Sequence, residues 1–226
     1  MISIGGDDGL ENAIVALDVE PGRRPRFISK RTIAIGHQVP LRRPIRKKNG
    51  AVQTHERTIG DADLIEFWGE ARAVLQELAA HPAAMSGVIV SVERVIKAVE
   101  RDRFGGSMAT GLTNGNWMGG EIAGIARWIF GAGAVVTRSE AEWRNTVIGA
   151  HDVGRGLTED QQLGILIPRL IDGWPPKSNP HERDAAGLAL DGAARAAAII
   201  RSGMNATVRN PIGVVHESAL YSDNCK

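Results

Sequence analysis

The sequence predicts an α/β fold in which a mixed β-sheet carries helices on both of its faces. Two short apolar segments near the N-terminus are separated by a turn rich in glycine and aspartate, which is typical of a β-hairpin. Further along the chain, short β-branched segments alternate with segments of helical period, as in strands that are connected by helices. Hairpin strands followed by such alternation imply a sheet with both antiparallel and parallel pairs.

The first fifty residues are predicted to form three strands. Residues 1–5 and 12–18 are apolar and flank the turn GDDGLE, and residues 31–40 predict a third strand that Pro40 ends. The stretch LRRPIRKKNG, residues 41–50, is basic and rich in turn formers. It is therefore predicted to be an exposed loop or the tip of a ribbon.

The middle of the chain changes from a strand pattern to a helical one. Residues 61–80 place apolar side chains at helical spacing, with Asp61 as N-cap and Pro82 beyond the end. The segment GVIVSVE, residues 87–93, is short and almost continuously β-branched, so it predicts a strand that is buried on both faces. A helix is expected near residues 117–130.

The last third is predicted to be mainly helical, and the start of its final helix has the clearest signal. Asn179 suits the N-cap, Pro180 the first helical position and Glu182 the third, and Gly203 suits the C-terminal end. The other predicted elements are a strand over 133–137, a helix over 139–149, and a helix over 158–171 that Pro168 interrupts.

Length, charge and cysteine content limit the classes of protein. The 226 residues fit one domain, predicted over 1–203, followed by a C-terminal tail over 204–226. A net charge of +1 means that any nucleic-acid binding must come from local patches. The one cysteine, Cys225, excludes a disulfide framework and a cysteine-based zinc site. The sequence shows neither a signal-peptide pattern nor an apolar run of about 18 residues, so we expect a cytoplasmic protein that does not bind membranes.

Acidic residues follow two predicted strands and open the final helix. Asp7 ends the first strand, Glu93 ends the strand over 87–93, and the sequence HERD places His181 and Asp184 on one helical face. Strand ends in an open α/β sheet gather at a crevice, so these side chains are expected to meet. Clustered carboxylates repel one another unless a cation lies among them, and their oxygens suit Mg²⁺ or Mn²⁺.

Each of these residues also has an ordinary structural explanation. Asp7 suits a turn, Glu182 and Asp184 complement a helix dipole, and His181 suits a cap. The joint pattern, rather than any one member, favours the metal site. The remaining acidic candidates are interpreted as solvated turn or helix-face residues: Asp8, Asp18 and Asp191.

Three motifs resemble those of a known family. GGDDG resembles the first-strand GxDxG motif of the RuvC-like Holliday-junction resolvases of the RNase H-like superfamily, IVSVE resembles their second motif, and HERDAAGLAL resembles their last. VVTRSEAEWRNTVIG resembles a strand-and-helix element in which Trp followed by a basic residue is common. The resemblance extends from residue 1 to about 200 and is closest to phage-type members, whose hairpin often precedes a basic stretch. It implies an RNase H-like fold.

The resemblance also implies an activity. It assigns metal ligation to Asp7, Glu93 and Asp184, with Asp7 bridging two ions, and leaves His181 either as a ligand or as an acid/base group. The implied protein is a Mg²⁺-dependent endodeoxyribonuclease, with Mn²⁺ as a substitute, that acts in DNA recombination and repair. It would resolve branched DNA by paired nicks that leave 5′ phosphates, and would work as a homodimer. The aromatic residues of the helices over 61–80 and 117–130 make these helices the expected contact.

Several basic and aromatic residues are candidates for binding the DNA backbone or an opened junction. The candidates are Arg42, Arg43, Arg46, Lys47 and Lys48, then Arg23, Arg24 and Arg26, and Arg101, Arg103 and Phe104 in a glycine-rich segment. For the basic stretches a solvated loop is the alternative. Trp143 is interpreted as a packing residue.

Three other activities compete with junction resolution. An actin-like or sugar-kinase ATPase would need a duplicated domain and a second phosphate loop, for which 226 residues are too few. An RNase H-like flap nuclease or exonuclease stays open, as does a non-catalytic junction-binding protein, although the intact acidic set argues against the latter.

Overall fold

The computed structural model describes residues 1–7, 11–46, 50, 52–93, 120–151, 153 and 156–201. Some predictions therefore lie outside the described residues, namely those for Asp8, Lys47, Lys48, Arg101, Arg103, Phe104 and the tail over 204–226. Among the helices that the structure describes, none combines the length and the apolar character needed to cross a lipid bilayer.

The described residues form seven strands and five helices. The strands are β1 (Ile2–Asp7), β2 (Glu11–Asp18), β3 (Arg26–Ala34), β4 (His37–Arg46), β5 (Val52–Thr58), β6 (Val88–Glu93) and β7 (Val135–Arg138). The helices are α1 (Asp61–Ala79), α2 (described over 120–130), α3 (Glu140–Val147), α4 (Glu159–Leu170) and α5 (Pro180–Arg201). Short 3₁₀ turns lie at Pro82–Ser86 and Ala132–Ala134.

Five of the strands form one mixed sheet in the order β3-β2-β1-β6-β7. The pairs β1/β2 and β2/β3 are antiparallel, whereas β1/β6 and β6/β7 are parallel. In the parallel pair at the centre, Gly6 lies opposite Val92. The next residue of each strand, Asp7 and Glu93, therefore reaches the same edge of the sheet. The mixed sheet confirms the predicted fold class.

Both faces of the sheet are buried under helices, as predicted. Along β2, Ile14 and Ala16 face the core formed with α1 and α2, whereas Ala13, Val15 and Leu17 face the core formed with α3, α4 and α5. Successive side chains of a strand point to opposite faces, so an uninterrupted apolar run requires a cover on each side. The hydrophobic segments of the hairpin thus imposed the layered arrangement.

The predicted third strand, residues 31–40, is wrong in its boundaries. Gly36 has a φ of 79° and breaks the chain direction, so β3 ends at Ala34 and β4 begins a separate ribbon with β5. The ribbon was predicted at residues 41–50 only as one possibility. Its second strand, VQTHERT, was missed because it has few apolar residues to show a period.

Helix α4 continues through Pro168 to Leu170, so the predicted interruption is wrong. The proline lies in the last turn of the helix, where it precedes the C-cap Ile171 by three residues. The predicted start of α5 is correct. Asn179 Oδ1 accepts a hydrogen bond from the Glu182 amide at 2.8 Å, and the Asn179 amide donates to Glu182 Oε2 at 2.9 Å.

Helix α5 lies directly on β1 because small residues face each other across the contact. A Cβ atom on Gly5 would overlap the carbonyl oxygen of Ala185 and lie 2.6 Å from the amide nitrogen of Ala189. Ser3 Oγ donates a hydrogen bond to the Ala189 carbonyl at 2.6 Å. The glycine is therefore required for the helix backbone to approach the strand this closely.

Two acidic residues that were expected to be solvated are buried in ion pairs. Asp191 is fully buried on α5 and accepts from Arg138 Nε at 2.9 Å, and Arg195 Nε lies 3.4 Å away. Asp18 is paired with Arg26 at 2.8 Å. A buried charge of this kind is tolerated only with a partner, and the partner of Asp191 comes from β7, 53 residues away along the chain.

We expect Gly5→Ala to lower the free energy of unfolding by about 3 kcal/mol, because the added methyl group meets helix backbone that cannot rotate away. Gly164→Ala in α4 is the matched control. A Cβ there meets nothing within 4 Å, so the variant should gain up to about 1 kcal/mol of helix propensity. Urea unfolding measures both changes, and equal midpoints for Gly5→Ala and wild type would contradict the close contact.

Candidate active site

The two strand-end carboxylates and the start of α5 meet at one edge of the sheet. Along β1, Ser3 contacts Ala189, Gly5 contacts Ala185 and Asp7 contacts His181. Two residues of a strand span about 6.6 Å and four residues of a helix about 6 Å. Every second residue of β1 therefore lies opposite every fourth residue of α5. This match brings the predicted residues Asp7 and His181 together.

Asp7 and His181 form a direct hydrogen bond. Asp7 Oδ2 lies 2.8 Å from His181 Nδ1, and the Asp7 side chain is 6% exposed. The hydrogen bond to Asp7 raises the pKa of His181, although partial burial opposes the change; the charges of Asp7, Glu11 and Asp184 also raise it. The imidazole is therefore oriented by the carboxylate and holds its proton more firmly than an exposed histidine.

Asp184 lies close enough to this pair to be strongly perturbed by it. Burial raises the pKa of Asp184 to about 7, and the negative charge of Asp7 contributes in the same direction. The positive charges of Arg144 and His181 oppose the change. A carboxyl group whose pKa is raised by burial and by a neighbouring carboxylate is characteristic of many functional sites.

Glu93 is held at the end of β6 by a tryptophan from α3. The indole Nε1 of Trp143 donates to Glu93 Oε2 at 3.3 Å, and the ring is fully buried. The prediction that Trp143 is a packing residue is confirmed, but the hydrogen bond gives it a second role that the prediction missed.

Arg144 connects the acidic cluster to neighbouring helices. Its guanidinium lies 3.5 Å from Asp184 and 3.2 Å from Glu140, also binds Glu159, and stacks on the Trp143 ring at 5.1 Å from the centroid. The sequence resemblance noted a Trp followed by a basic residue here but gave Arg144 no role at the site. The available signal was the adjacent Trp and Arg in EAEWRN, but nothing local shows which acids they reach.

The carboxylate oxygens are suitable ligands for a hard divalent ion, but they are not arranged as a preformed metal-coordination site. In the described part of the chain, no group of three or more His, Cys, Asp or Glu side chains is arranged to hold a metal. The acids instead contact protein groups: Asp7 contacts His181, Glu93 contacts Trp143 and Asp184 contacts Arg144. The oxygen-rich set and the crowding of charge fit Mg²⁺ or Mn²⁺.

Glu182 points away from this cluster. Its carboxylate closes the capping box with Asn179 and binds Lys30 at 2.5 Å. Lys30 and the capping amide lower the pKa of Glu182 against the opposing effect of burial. Glu182 is thus a structural residue that fixes the first turn of α5 against β3, as its position in the helix suggested.

The described arginines of the predicted DNA-binding stretch lie on the ribbon. Arg42, Arg43 and Arg46 are exposed on β4, and no ion pair to a described side chain engages them. The pairing of β4 with β5 shifts between Pro40 and Ile45, so the four residues 41–44 of β4 lie opposite one residue of β5, Thr54. This irregularity lies where Arg42 and Arg43 project.

The second basic stretch differs because its charges are neutralised. Arg23 pairs with Glu20 at 2.8 Å, Arg24 with Asp172 at 3.8 Å and Arg26 with Asp18 at 2.8 Å. Asp18 lies opposite Ile2, at the other end of β1 from Asp7. DNA binding by Arg23, Arg24 and Arg26 stays a prediction, and their acidic partners make it less favourable than binding by the arginines of the ribbon.

Comparison with known proteins gives a match in structure rather than in sequence. No family model and no curated protein matches the chain. The fold is similar to that of RuvC from T. thermophilus in complex with a Holliday junction substrate, with a TM-score of 0.56, 14% identity, and coverage of 88% of this chain and 96% of that one. A second structure of Thermus thermophilus RuvC gives a TM-score of 0.54 at 15% identity, covering 90% and 97%. The chain therefore has the RuvC-like, RNase H-like fold that its motifs predicted.

Proposed function

We propose that this protein is a divalent-metal-dependent endodeoxyribonuclease that resolves Holliday junctions by paired nicks, in recombination and repair of DNA. The observation that carries the proposal is the convergence of Asp7, His181, Asp184 and the end of β6 at one edge of a RuvC-like sheet. The structural neighbour was itself solved with a Holliday junction substrate, which supports branched DNA as the ligand here.

In this proposal Asp7, Glu93 and Asp184 hold two Mg²⁺ ions, or Mn²⁺ in their place, with His181 as a further ligand or as an acid/base group. The ions, when bound, would lower the pKa of a water molecule and stabilise the leaving 3′ oxygen. Asp7 orients the His181 ring through Nδ1, so the imidazole is fixed for a proton transfer. The basic groups are proposed to bind the DNA backbone.

The DNA surface is proposed to include the ribbon. Arg42, Arg43 and Arg46 are exposed there without a described acidic partner, and the sequence continues with Lys47 and Lys48. A two-stranded ribbon can enter a groove of duplex DNA, and unpaired guanidinium groups can follow its phosphates. Arg101, Arg103 and Phe104 remain candidates from the sequence for contacts near the branch point.

A symmetric dimer is proposed as the working unit, because one acidic cluster per chain can cut one strand at a time. Ile65 and Trp68 on α1 and Trp128 on α2 are 73%, 47% and 66% exposed. Ile65 and Trp68 border a groove of about 470 Å³, and Arg72, which also lines it, lies 4.7 Å from the centre of the Trp128 ring. An exposed aromatic surface of this kind suits a two-fold contact with a second copy of the chain.

The first test replaces one carboxylate without changing its size. Asp7→Asn should reduce cleavage of a labelled four-way junction by at least about 10³-fold while junction binding persists, since the substitution removes charge from the acidic cluster alone. Asp172→Asn is the control, because Asp172 is an exposed acid beyond the opposite end of β1. Cleavage by Asp7→Asn at the wild-type rate would refute the site.

The same assay separates junction resolution from the competing activities. Wild-type protein in Mg²⁺ or Mn²⁺ is expected to place nicks in two opposed strands of the junction. Nicks in one strand only, or faster cutting of flaps and ends, would favour a flap nuclease or an exonuclease. Tight junction binding without any cleavage would favour a non-catalytic binding protein.

A second test compares two arginine pairs of equal charge. Arg42→Ala with Arg43→Ala should weaken junction binding and reduce the slope of log K against log salt by about 0.9 for each DNA phosphate that the variant no longer neutralises. Arg23→Ala with Arg24→Ala removes the same charge from residues that already have acidic partners, so the slope should stay near that of wild type. Equal slopes for the two double variants would contradict the role of the ribbon.

A third test uses the pKa of Asp184. Folding raises this pKa from about 3.9 to about 7, so the folded metal-free protein binds more protons than the unfolded chain between these values. Its stability therefore falls as the pH rises from about 4 to about 7. Asp184→Asn lacks this pH dependence, so its stability relative to wild type should be greater at pH 8 than at pH 5, with an upper limit of about 3 kcal/mol on the difference.

Urea unfolding in EDTA at the two pH values measures this difference. Added Mg²⁺ should then stabilise wild type at pH 8 more than Asp184→Asn, because a ligand of the folded state raises stability by mass action. A stability difference that does not grow with pH would show that Asp184 ionises normally.

A further inference from the structure

Two consecutive residues of α3 contact two different carboxylates of the acidic cluster. Trp143 Nε1 donates to Glu93 at 3.3 Å, and the next residue, Arg144, places a guanidinium nitrogen 3.5 Å from Asp184. The guanidinium also stacks over the indole ring. One short helix therefore reaches acids that come from a strand 50 residues earlier and from a helix 40 residues later.

The position of the indole is set by packing. Trp143 is fully buried, and it fits against α5 where Gly187 leaves room: a Cβ on Gly187 would lie 2.9 Å from Cε3 of the ring and closer still to Cζ3. The ring has no space to turn, so its N–H points at Glu93 with little freedom. A donor that is fixed in this way orients its acceptor at low entropic cost.

The position of the guanidinium is set by acids outside the cluster. Arg144 binds Glu140 of its own helix and Glu159 at the start of α4, and its side chain is only 14% exposed. These contacts hold the planar group where one nitrogen reaches Asp184. Arginine suits such a place because its rigid planar guanidinium fixes the directions of several hydrogen bonds to carboxylates, whereas a lysine ammonium is a point charge on a flexible stem.

We propose that Trp143 and Arg144 are positioning residues that hold Glu93 and Asp184 in the orientation in which they bind divalent metal. The proposal rests on the proposed function. One hydrogen bond uses only part of the acceptor capacity of a carboxylate, so such a partner can orient the group without preventing it from binding a cation. Removal of outer partners of this kind typically weakens metal binding by about 10–100-fold.

A second tryptophan shows that the fold does not by itself require a partner for an indole N–H. Trp174 packs edge-on against Phe27 at 5.5 Å, and its buried Nε1 has no hydrogen-bond partner among the described residues. Trp174→Phe therefore removes an indole N–H that binds no acceptor among the described residues, and it provides a matched control for Trp143→Phe.

The test is calorimetric titration of the full-length protein with Mn²⁺, alongside thermal unfolding of each variant. Trp143→Phe keeps an aromatic ring in the Gly187 slot but loses the donor, and we expect about 10–100-fold weaker Mn²⁺ binding. Trp174→Phe should bind Mn²⁺ as wild type does. Wild-type affinity in a folded Trp143→Phe would overturn the role of the indole.

Arg144→Lys extends the test to the second residue, and it still tests the proposal if Trp143→Phe does not fold. The variant keeps the positive charge but replaces the planar guanidinium. Weaker Mn²⁺ binding is therefore expected, because Asp184 is oriented less well. Unchanged or tighter Mn²⁺ binding by Arg144→Lys would overturn the role of Arg144. Arg26→Lys, at the pair with Asp18 by the end of β1 opposite to Asp7, is the control for replacing a guanidinium away from the cluster.

Asp7→Asn separates this proposal from the proposed function. If Asp7→Asn weakens Mn²⁺ binding and the Trp143 and Arg144 variants do not, only the positioning role fails. If Asp7→Asn binds Mn²⁺ as tightly as wild type, the proposed metal site fails and the positioning role fails with it.

Discussion

The rest of the structure depends on the register between β1 and α5. Alternate residues of the strand, Ser3, Gly5 and Asp7, meet every fourth residue of the helix, and the two repeats advance by nearly equal distances. The register holds because Gly5 lets the helix backbone touch the strand. A bulkier residue there would lift α5 and carry His181 and Asp184 away from Asp7. Packing inside the protein therefore fixes the chemistry at its edge.

This register brings several acidic side chains close together, and their mutual repulsion does not stabilise the fold. The pKa values of Asp184 and His181 are both raised, which shows that the cluster favours bound protons when no other cation neutralises it. Arg144 relieves part of the repulsion but is shared with Glu140 and Glu159. Charge repulsion that lowers the stability of the folded protein is expected at a site whose residues serve to bind a ligand.

Local signals in the sequence predicted the strands of the hairpin, the carboxylates at two strand ends and the capped start of α5. Each of these depends on a few neighbouring residues. The sequence could not show that Trp143 reaches Glu93 or that Asp191 is buried with Arg138, because these contacts depend on how α3, α5 and β7 pack. The ribbon strand β5 was missed for another reason: with both faces open to solvent, its sequence needs no apolar alternation.

The two basic stretches show why counting arginines is a poor guide to a nucleic-acid surface. Arg23, Arg24 and Arg26 each have an acidic partner, so their charges are neutralised within the fold, and Arg26 also covers the nearly buried Asp18. Arg42 and Arg43 lie where the ladder of β4 is irregular and where no described acid faces them. In a chain with a net charge of +1, a cationic surface forms where acids are absent. The placement of the carboxylates therefore determines both the acidic cluster and the surface that is proposed to bring a polyanion to it.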